Sequence, residues 1–321
     1  MTTRLSLLKP TASLTLGNLL GALRPMAASQ HEADCFYGIA DLHALTVPHD
    51  PAALRAQVAE QAALMIAVGL DASTLFVQSH VPTHAQLSYL LECVATTGEL
   101  NRMIQFKEKG RGVDSTRTSL FTYPALMAAD ILLYRPAEVP VGDDQRQHVE
   151  LTRDLAIRFN TTYGPVFTVP EMTTPPVGAR IMDLADPTAK MGKTAAAGAS
   201  EAGTIRILDA PEVVRRKIMR AVTDGDVGAD AVRRDGAKPG VTNLLEILQA
   251  CGGDPTGLTT YGALKSAVVD AVVAELEPIQ KRYADLAADP AHVREVFAAG
   301  AERATAVTTP VLAAARAAMG L

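Results

Sequence analysis

Short apolar segments alternate with helical patterns through the first half of this chain. Residues 4–8, 35–41 and 75–78 have the composition of buried strands, and residues 52–69 repeat apolar side chains at helical spacing. A strand, a helix and a second strand form a βαβ unit, which predicts an α/β fold with a Rossmann-like parallel sheet. Active groups of such sheets gather beyond the carboxyl ends of the strands, where we expect His43 and the loop after the first strand.

The pattern changes in the second half. Residues 175–200 are rich in Pro, Gly and Ala, and nearly every segment after Asp209 has a helical pattern. We therefore predict a Rossmann-like domain over residues 1–185 and a loop with a helical domain over residues 186–321, the last helix being free to pack back on the first domain. Pro310 should break or kink that helix.

Composition narrows the class of protein. The chain has 321 residues, of which 48% are hydrophobic and 20% charged, with a net charge of −5. This acidic balance argues against general coating of nucleic acid but allows a local basic patch. Dispersed cysteines and histidines predict no structural metal and favour a reducing cytoplasm. No apolar run reaches the roughly 18 residues of a membrane helix, and we expect no signal peptide.

Basic residues concentrate at two places in the sequence. Solvated helix faces explain such clusters more often than RNA contacts do. The two clusters are Lys107, Lys109 and Arg111, and then Arg215, Arg216, Lys217 and Arg220.

Two loops have the character of phosphate-binding segments. Residues 10–18 follow the first strand and lead into a helix, which aims backbone N–H groups and a helix dipole at phosphate. Residues 190–194 place Lys190 and Lys193 in a Gly- and Ala-rich stretch, which favours a mobile cationic clamp over a packed element. Such a clamp suits the charge that develops in phosphoryl or adenylyl transfer.

One helical pattern contains a candidate pocket. Tyr123, Met127 and Asp130 are spaced by four and three residues, so they share a helix face. A carboxylate in so apolar a run is costly unless it is paired. Two interpretations stay open: a structural Asp that caps a neighbouring loop, or an acceptor at the end of an apolar slot for a flat ring bearing an N–H or O–H. A polar turn at residues 142–145 follows the next predicted strand and opens another helix.

In this order, the segments resemble those of class I aminoacyl-tRNA synthetases, and within them the tryptophanyl-tRNA synthetases. Residues 10–18 are similar to the HIGH signature of that family, residues 190–194 to its KMSKS loop, and residues 142–145 to its Gly-Glu-Asp-Gln turn. Further similar segments are residues 105–109, 126–132, 178–182 and 238–245. The resemblance spans essentially the whole chain.

The resemblance implies a ligase that activates L-tryptophan with ATP and Mg²⁺ and transfers it to the 2′-hydroxyl of the terminal adenosine of tRNA(Trp). It implies a cytoplasmic homodimer without membrane or DNA partners, with ATP and tryptophan in the first domain and the anticodon on the helical one. The implied tryptophan-binding residues are Leu5, His43, Tyr123, Met127, Asp130 and Gln145. The implied ATP-binding residues are Lys9, Pro10, Thr11, Gly17, Asn18, Gly142, Asp143, Asp144, Ile181, Lys190, Met191, Gly192, Lys193 and Thr194. The implied catalytic residues are Thr15, Asn18, Lys190 and Lys193.

Several positions depart from the family pattern. Lys9 stands where Gln is common, and Gly192 and Thr194 replace the two serines of the KMSKS loop. These departures lead to the hypothesis of an auxiliary, inhibitor-tolerant form. The sequence also leaves open a non-catalytic RNA-binding or regulatory paralogue and a tyrosyl-tRNA synthetase.

Overall fold

The strands predicted in the first half form a parallel sheet. The computed structural model describes residues 3–109, 116–136, 138–140, 145–173, 179–192, 201–228 and 230–321. Its strands are β1 (Thr3–Leu8), β2 (Asp34–Ile39), β3 (Thr74–Val77), β4 (Glu138–Pro140) and β5 (Glu171–Thr173).

The order of the strands reverses beside β1. β1 pairs in parallel with β2, and β3 continues the same sheet beyond β2. β4 and β5 form a second parallel pair, and β4 lies against β1. The chain therefore moves outward from β1 to β3 and then returns to the other side of β1. Such a reversal opens a crevice at the carboxyl ends of the strands.

Helices surround the sheet and make up most of the second half, as predicted. None of the described helices combines the length and the apolarity that crossing a membrane requires. The helices are α1 (Leu16–Asn18), α2 (Arg24–Ser29), α3 (Asp41–Ala44), α4 (Pro51–Ala67), α5 (Thr83–Glu92), α6 (Thr97–Asn101), α7 (Ile104–Lys109), α8 (Thr118–Leu133), α9 (Arg146–Tyr163), α10 (Pro211–Met219), α11 (Pro239–Ala250), α12 (Tyr261–Ala288) and α13 (Pro290–Met319).

Both faces of the sheet are buried. On β2, the side chain of Tyr37 joins a hydrophobic cluster with α4, α11 and α12, whereas Phe36 joins a second cluster with α5, α8 and α9. Successive side chains of a strand point to opposite faces, so β2 contributes to both clusters. A strand of a parallel sheet covered on two sides has a continuous apolar sequence, and residues 35–41 were predicted as a buried strand from that pattern.

The last helix, α13, packs on β3. A Cβ atom added at Gly300 would lie 1.8 Å from the carbonyl oxygen of Leu75, so only glycine allows this approach of helix to strand. The helix does not break at Pro310, because α13 runs through that residue to Met319, and the alternative of a kink stays a prediction. Tertiary packing stabilises the helix beyond the proline, whose missing N–H and ring clash both act at the carbonyl of Ala306.

Candidate active site

A cavity of about 450 Å³ opens where the order of the strands reverses. Its lining combines the end of β1, the start of α3 and one face of α8, as the carboxyl-end rule predicts. The structure brings together around it every residue of the implied tryptophan site and one of the implied ATP site: Leu5, Lys9, His43, Tyr123, Met127, Asp130 and Gln145.

The face of α8 that the sequence singled out lines this cavity. Tyr123, Met127 and Asp130 all contribute to the wall, together with Leu120 and Ile131 from the same helix. Apart from the carboxylate, the wall from α8 is largely apolar or aromatic. Asp130 itself is only 3% exposed.

Four hydrogen bonds converge on the Asp130 carboxylate. Its Oδ1 lies 2.6 Å from His84 Nδ1 and 2.8 Å from Gln78 Nε2. Its Oδ2 lies 2.8 Å from His43 Nε2 and 2.9 Å from the same Gln78 nitrogen. An ionised carboxylate only accepts hydrogen bonds, so all three side chains donate to it.

These contacts keep Asp130 charged inside the protein. Burial by itself raises the pKa of the carboxyl group. The hydrogen bonds and charges of His43 and His84 lower this pKa by a larger amount, so it is about 2. The described donors to the carboxylate are side chains, so Asp130 does not cap a neighbouring loop through them. The carboxylate also lies on the cavity wall, where its role as an acceptor for a ring ligand stays a prediction.

The two histidines that donate to Asp130 have different surroundings. The side chain of His84 is fully buried, and its Nε2 lies 3.0 Å from the hydroxyl of Tyr134. Phe76 stacks on the His84 ring with a centroid separation of 5.7 Å. The His43 side chain is 14% exposed and lines the cavity.

Lys9 lines the same cavity and is linked to the main chain of His43 through Thr46. Its Nζ donates to Thr46 Oγ1 at 3.2 Å, and that hydroxyl donates to the main-chain oxygen of His43 at 2.9 Å. Lys9 therefore brings a positive charge to the cavity wall. Tyr123, whose pKa burial raises to about 12, contacts His148 through its hydroxyl group.

The loop after β1 forms a tight helix start. Thr15 caps α1 by accepting from the Asn18 N–H at 3.2 Å, and the Asn18 side chain accepts from the Thr15 N–H at 3.1 Å. This reciprocal capping box fixes the turn. The Thr15 residue is fully buried, so its side chain shapes the turn rather than facing the cavity.

This helix start touches the KMSKS-like segment. A Cβ atom at Gly17 would lie 2.9 Å from the carbonyl oxygen of Met191, so glycine permits the contact. Lys190 forms a β-bridge with Met182. The side chain of Asn243 accepts from Met182 N–H and donates to Met182 O, both at 2.9 Å, which anchors the bridge to α11.

The start of this segment is packed, contrary to the prediction of an unpacked loop, whereas the mobility of the clamp stays a prediction. Met191 is 4% exposed and Lys190 lies in the bridge, because the chain here adds a short antiparallel contact to the core. Ile181 is also 4% exposed, and its carbonyl oxygen accepts from Met191 N–H at 3.0 Å. Gly192 is exposed at the end of the described stretch.

The implied residues fall into two groups. Pro10, buried, and Thr11, half-buried, lie in the loop between the cavity and Thr15. Met191 meets the start of α1 at Gly17, and its N–H donates to Ile181 O. Neither these two residues nor Lys190 belongs to the described lining of the cavity. Five implied residues lie outside the described residues: Gly142, Asp143, Asp144, Lys193 and Thr194.

The same arrangement of segments identifies the family. The family model described as tRNA synthetases class I (W and Y) matches residues 4–280.

The chain belongs to this family.

Similar proteins align with the chain over nearly its whole length. Tryptophan–tRNA ligase 1 of Streptomyces avermitilis is 54% identical, over 98% of this chain and 97% of the relative. The crystal structure of tryptophanyl-tRNA synthetase from Mycoplasma pneumoniae is 36% identical, with a TM-score of 0.87, over 100% of this chain and 98% of that one. The Campylobacter jejuni tryptophanyl-tRNA synthetase complexed with ADP and tryptophan is 29% identical, with a TM-score of 0.85, over 99% and 100%.

Sequence reasoning missed the buried partners of Asp130 in this synthetase. Gln78 follows β3 and His84 lies on α5, and no motif in the sequence singles out either residue. The available signal was the cost of burying Asp130, which requires donors somewhere in the chain. The sequence thus indicates that hydrogen-bond donors to Asp130 must exist, but it does not identify the residues that supply them.

The second basic cluster of the synthetase divides into two kinds of residue. Lys217 donates to Asp209 Oδ2 and to Thr204 O, both at 2.7 Å, so it secures α10 to the preceding turn. Arg215, Arg216 and Arg220 are exposed. Only these arginines are available to a partner. Of the first cluster, Lys107 is exposed and Arg111 lies outside the described residues.

Proposed function

We propose that the chain is a tryptophan–tRNA ligase, which activates L-tryptophan with ATP and transfers it to tRNA(Trp). The observation that carries the proposal is Asp130, a buried anion on the wall of a largely apolar cavity. Full-length relatives with this name support the proposal. An anionic acceptor at the end of an apolar slot selects a flat ring with an N–H, because a ring that lacks this donor leaves the buried acceptor unpaired.

Within the cavity, the apolar wall takes the indole ring and Asp130 accepts its N–H. Tyr123, Met127 and Leu5 shape the slot. Gln145, at the start of α9, contacts the α-amino group. This places the substrate carboxylate toward the side of the cavity where Lys9 lies, and toward the loop after β1.

In the first step, an oxygen of the tryptophan carboxylate attacks the α-phosphorus of ATP. The bond between this phosphorus and the oxygen bridging to the β-phosphate breaks, so pyrophosphate leaves and tryptophanyl-adenylate forms. No protein nucleophile takes part, and catalysis rests on positioning and on charge stabilisation. Lys190 and Lys193 stabilise the charge that develops on the phosphates.

ATP lies along the contact between the helix start and the KMSKS-like segment. Lys9, Pro10, Thr11, Gly17 and Asn18 face the phosphates from the loop and the first turn of α1. Met191 and Ile181 are buried, so they contact adenine through their main chain. Gly142 and Asp144 bind the ribose, Asp143 completes that turn, and Gly192 and Thr194 complete the clamp.

The magnesium ion binds with ATP rather than in a protein cage. Among the described residues, no group of three or more His, Cys, Asp or Glu side chains could hold a metal ion. Phosphate oxygens suit Mg²⁺, which keeps several waters and requires few protein ligands. The ion would neutralise phosphate charge beside Lys190.

In the second step, the 2′-hydroxyl of the terminal adenosine attacks the carbonyl carbon of the adenylate. AMP leaves with the electrons of the broken mixed-anhydride bond, and the tryptophanyl ester forms. Arg215, Arg216 and Arg220 on α10 are candidate contacts to tRNA phosphates, which fix position but carry no base identity. We also propose that the protein is a homodimer, which light scattering of the purified protein tests, and that it acts in the cytoplasm.

Transfer of labelled amino acid to tRNA tests this function. The protein should attach tryptophan, and not tyrosine, to purified tRNA(Trp) in the presence of ATP and Mg²⁺. Tyrosine transfer to tRNA(Tyr) would instead establish the tyrosyl activity. Tight tRNA binding without any transfer would establish a non-catalytic RNA-binding protein.

A further inference from the structure

We propose that tryptophan binding exchanges one hydrogen bond on Asp130: the indole N–H replaces His43 at Oδ2, while His84 and Gln78 keep the carboxylate in place. This inference rests on the proposed function, because it concerns how the same cavity recognises tryptophan. His43 is then a placeholder for the substrate donor, and His84 is a positioning residue that acts through Asp130.

The exchange follows from how the present donors cover the two oxygens of the carboxylate. Oδ1 accepts from His84 and Oδ2 from His43, and Gln78 Nε2 lies between them, within 2.9 Å of both oxygens, so one nitrogen is shared by the two. With these three donors in place, Asp130 is only 3% exposed. An indole N–H can therefore reach the carboxylate only if one of the present donors leaves.

The surroundings decide which donor leaves. Gln78 and His84 are fully buried, and the described lining of the cavity includes neither. His84 is further fixed by the hydroxyl of Tyr134 and by the ring of Phe76. His43 alone among the three donors lines the cavity, so an indole that enters meets the His43 bond first.

The position of His43 also allows it to yield. It lies on the four-residue helix α3, and its side chain is partly exposed to the cavity. Tyr123 meets the His43 ring only edge-on, at a centroid separation of 6.2 Å. The Asp130 carboxylate keeps three donors before and after binding, because one N–H donor replaces another.

This arrangement accounts for selectivity. A ring without the N–H either leaves His43 in place and does not fit against Asp130, or displaces His43 and leaves a buried acceptor unpaired. A site built for a hydrogen bond rejects a ligand that lacks it for this reason. His84 matters because a carboxylate free to rotate could turn away from such a ligand without loss.

The test compares L-tryptophan with its benzothiophene isostere, in which sulphur replaces the N–H. The chain contains no tryptophan, so the fluorescence of bound L-tryptophan is measured without background from the protein. Calorimetry gives the affinity of the isostere. The selectivity ratio, isostere Kd divided by tryptophan Kd, cancels effects of pocket shape that both ligands share.

Two kinds of variant should move this ratio in opposite directions. His43→Phe keeps a ring but removes the donor, so tryptophan no longer breaks a bond to enter. The isostere, which leaves the His43 bond in place in the wild type, gains nothing from this change, so the ratio should rise about tenfold, or about 1.4 kcal/mol. His84→Leu frees Asp130, and the ratio should fall about tenfold. His84→Asn restores a donor at the place of Nδ1 and should recover most of the ratio. His31→Phe, at an exposed turn, is the matched control and should leave it unchanged.

Nitrogen NMR of labelled histidine observes the exchange directly in the wild-type protein. Tryptophan should remove the signature of a hydrogen bond at His43 Nε2 and leave that at His84 Nδ1. Retention of both signatures, with an unchanged ratio in His43→Phe, would overturn the exchange while tryptophan binding stands. Absence of tryptophan binding by wild-type protein would instead contradict the proposed function. The NMR readout holds even where His84→Leu fails to fold.

Discussion

At the scale of single residues, the Asp130 carboxylate decides the chemistry of the cavity. Without partners, burial in so apolar a cavity would disfavour the charged form of this carboxyl group and raise its pKa. Three donors reverse that tendency and hold the pKa at about 2, against an ordinary value of 3.8. The anion is therefore part of the folded structure as well as of the binding site.

Replacement of this anion by its neutral isostere should cost both stability and activity. In Asp130→Asn, the amide N–H₂ group would face a side chain that also donates a hydrogen bond, so buried donors would be left unpaired. The free energy of unfolding at pH 6 should therefore fall by about 2–4 kcal/mol. The kcat/KM of tryptophan activation should fall roughly 100-fold or more, since 1.36 kcal/mol corresponds to tenfold. Urea unfolding and pyrophosphate exchange measure the two effects. Asp71→Asn, at an exposed position, should change neither.

The same pKa predicts a pH dependence. Because folding lowers the pKa of Asp130, its contribution is complete above about pH 4 and is lost as the pH falls toward 2. A shift of this size corresponds to roughly 2–3 kcal/mol. The stability difference between wild type and Asp130→Asn should therefore narrow between pH 4 and pH 3 in urea unfolding. A difference independent of pH in this range would contradict a charged Asp130.

Part of this site could be predicted from the sequence. Tyr123, Met127 and Asp130 were predicted to share a helix face because i, i+4 and i+7 positions do so on any α-helix, and the structure confirms it. His84 could not be predicted, since its contact with Asp130 depends on how α5 packs against α8. The functional roles taken from the resemblance, including those of Lys193 and Asp144, stay predictions.

At the scale of elements, the start of α1 and the bridge at Met182 act as one unit. Gly17 touches the main chain of Met191, and Asn243 on α11 satisfies both main-chain groups of Met182. The helical part of the chain thereby positions Lys190 relative to the first turn of α1. The local pattern predicted the turn that leads into α1, but neither the bridge at Met182 nor its contact with α1, because both join segments distant in sequence.

A methyl group at Gly17 should disturb this contact selectively. In Gly17→Ala, the new Cβ would lie 2.9 Å from Met191 O, so the bridge segment must move. We expect kcat for pyrophosphate exchange to fall about tenfold or more, because a small displacement of a positioning group is costly in rate. Tryptophan affinity by fluorescence should stay within about twofold. Gly262→Ala, where no atom lies within 4 Å of the new Cβ, is the matched control.

At the scale of the whole molecule, the C-terminal helix closes the fold on its first half. α13 packs on β3 and meets the strand backbone at Gly300. Thr308 on α13 also accepts from Thr83 on α5 at 2.8 Å between their hydroxyl groups. The predicted division of the chain at residues 185 and 186 stays a prediction, but the last helix contributes to the core of the first half.

Gly300→Ala should therefore destabilise the molecule although it lies far from the cavity. The added Cβ would clash with the main chain of Leu75. Unlike a side chain, the main chain of a strand cannot change rotamer to relieve the clash. We expect a loss of at least about 2 kcal/mol in the free energy of unfolding by urea. Ala299→Leu adds more bulk to the exposed neighbour and should stay within about 0.5 kcal/mol of wild type. Equal stability of the two variants would contradict the close packing of α13 on β3.

The most direct test of the central claim is ATP–pyrophosphate exchange with each of the twenty amino acids in turn. The cavity with Asp130 on its wall predicts exchange that depends on tryptophan, with tyrosine and phenylalanine at least about 1,000-fold less effective in kcat/KM. Exchange with no amino acid, or exchange that depends on tyrosine, would contradict the account.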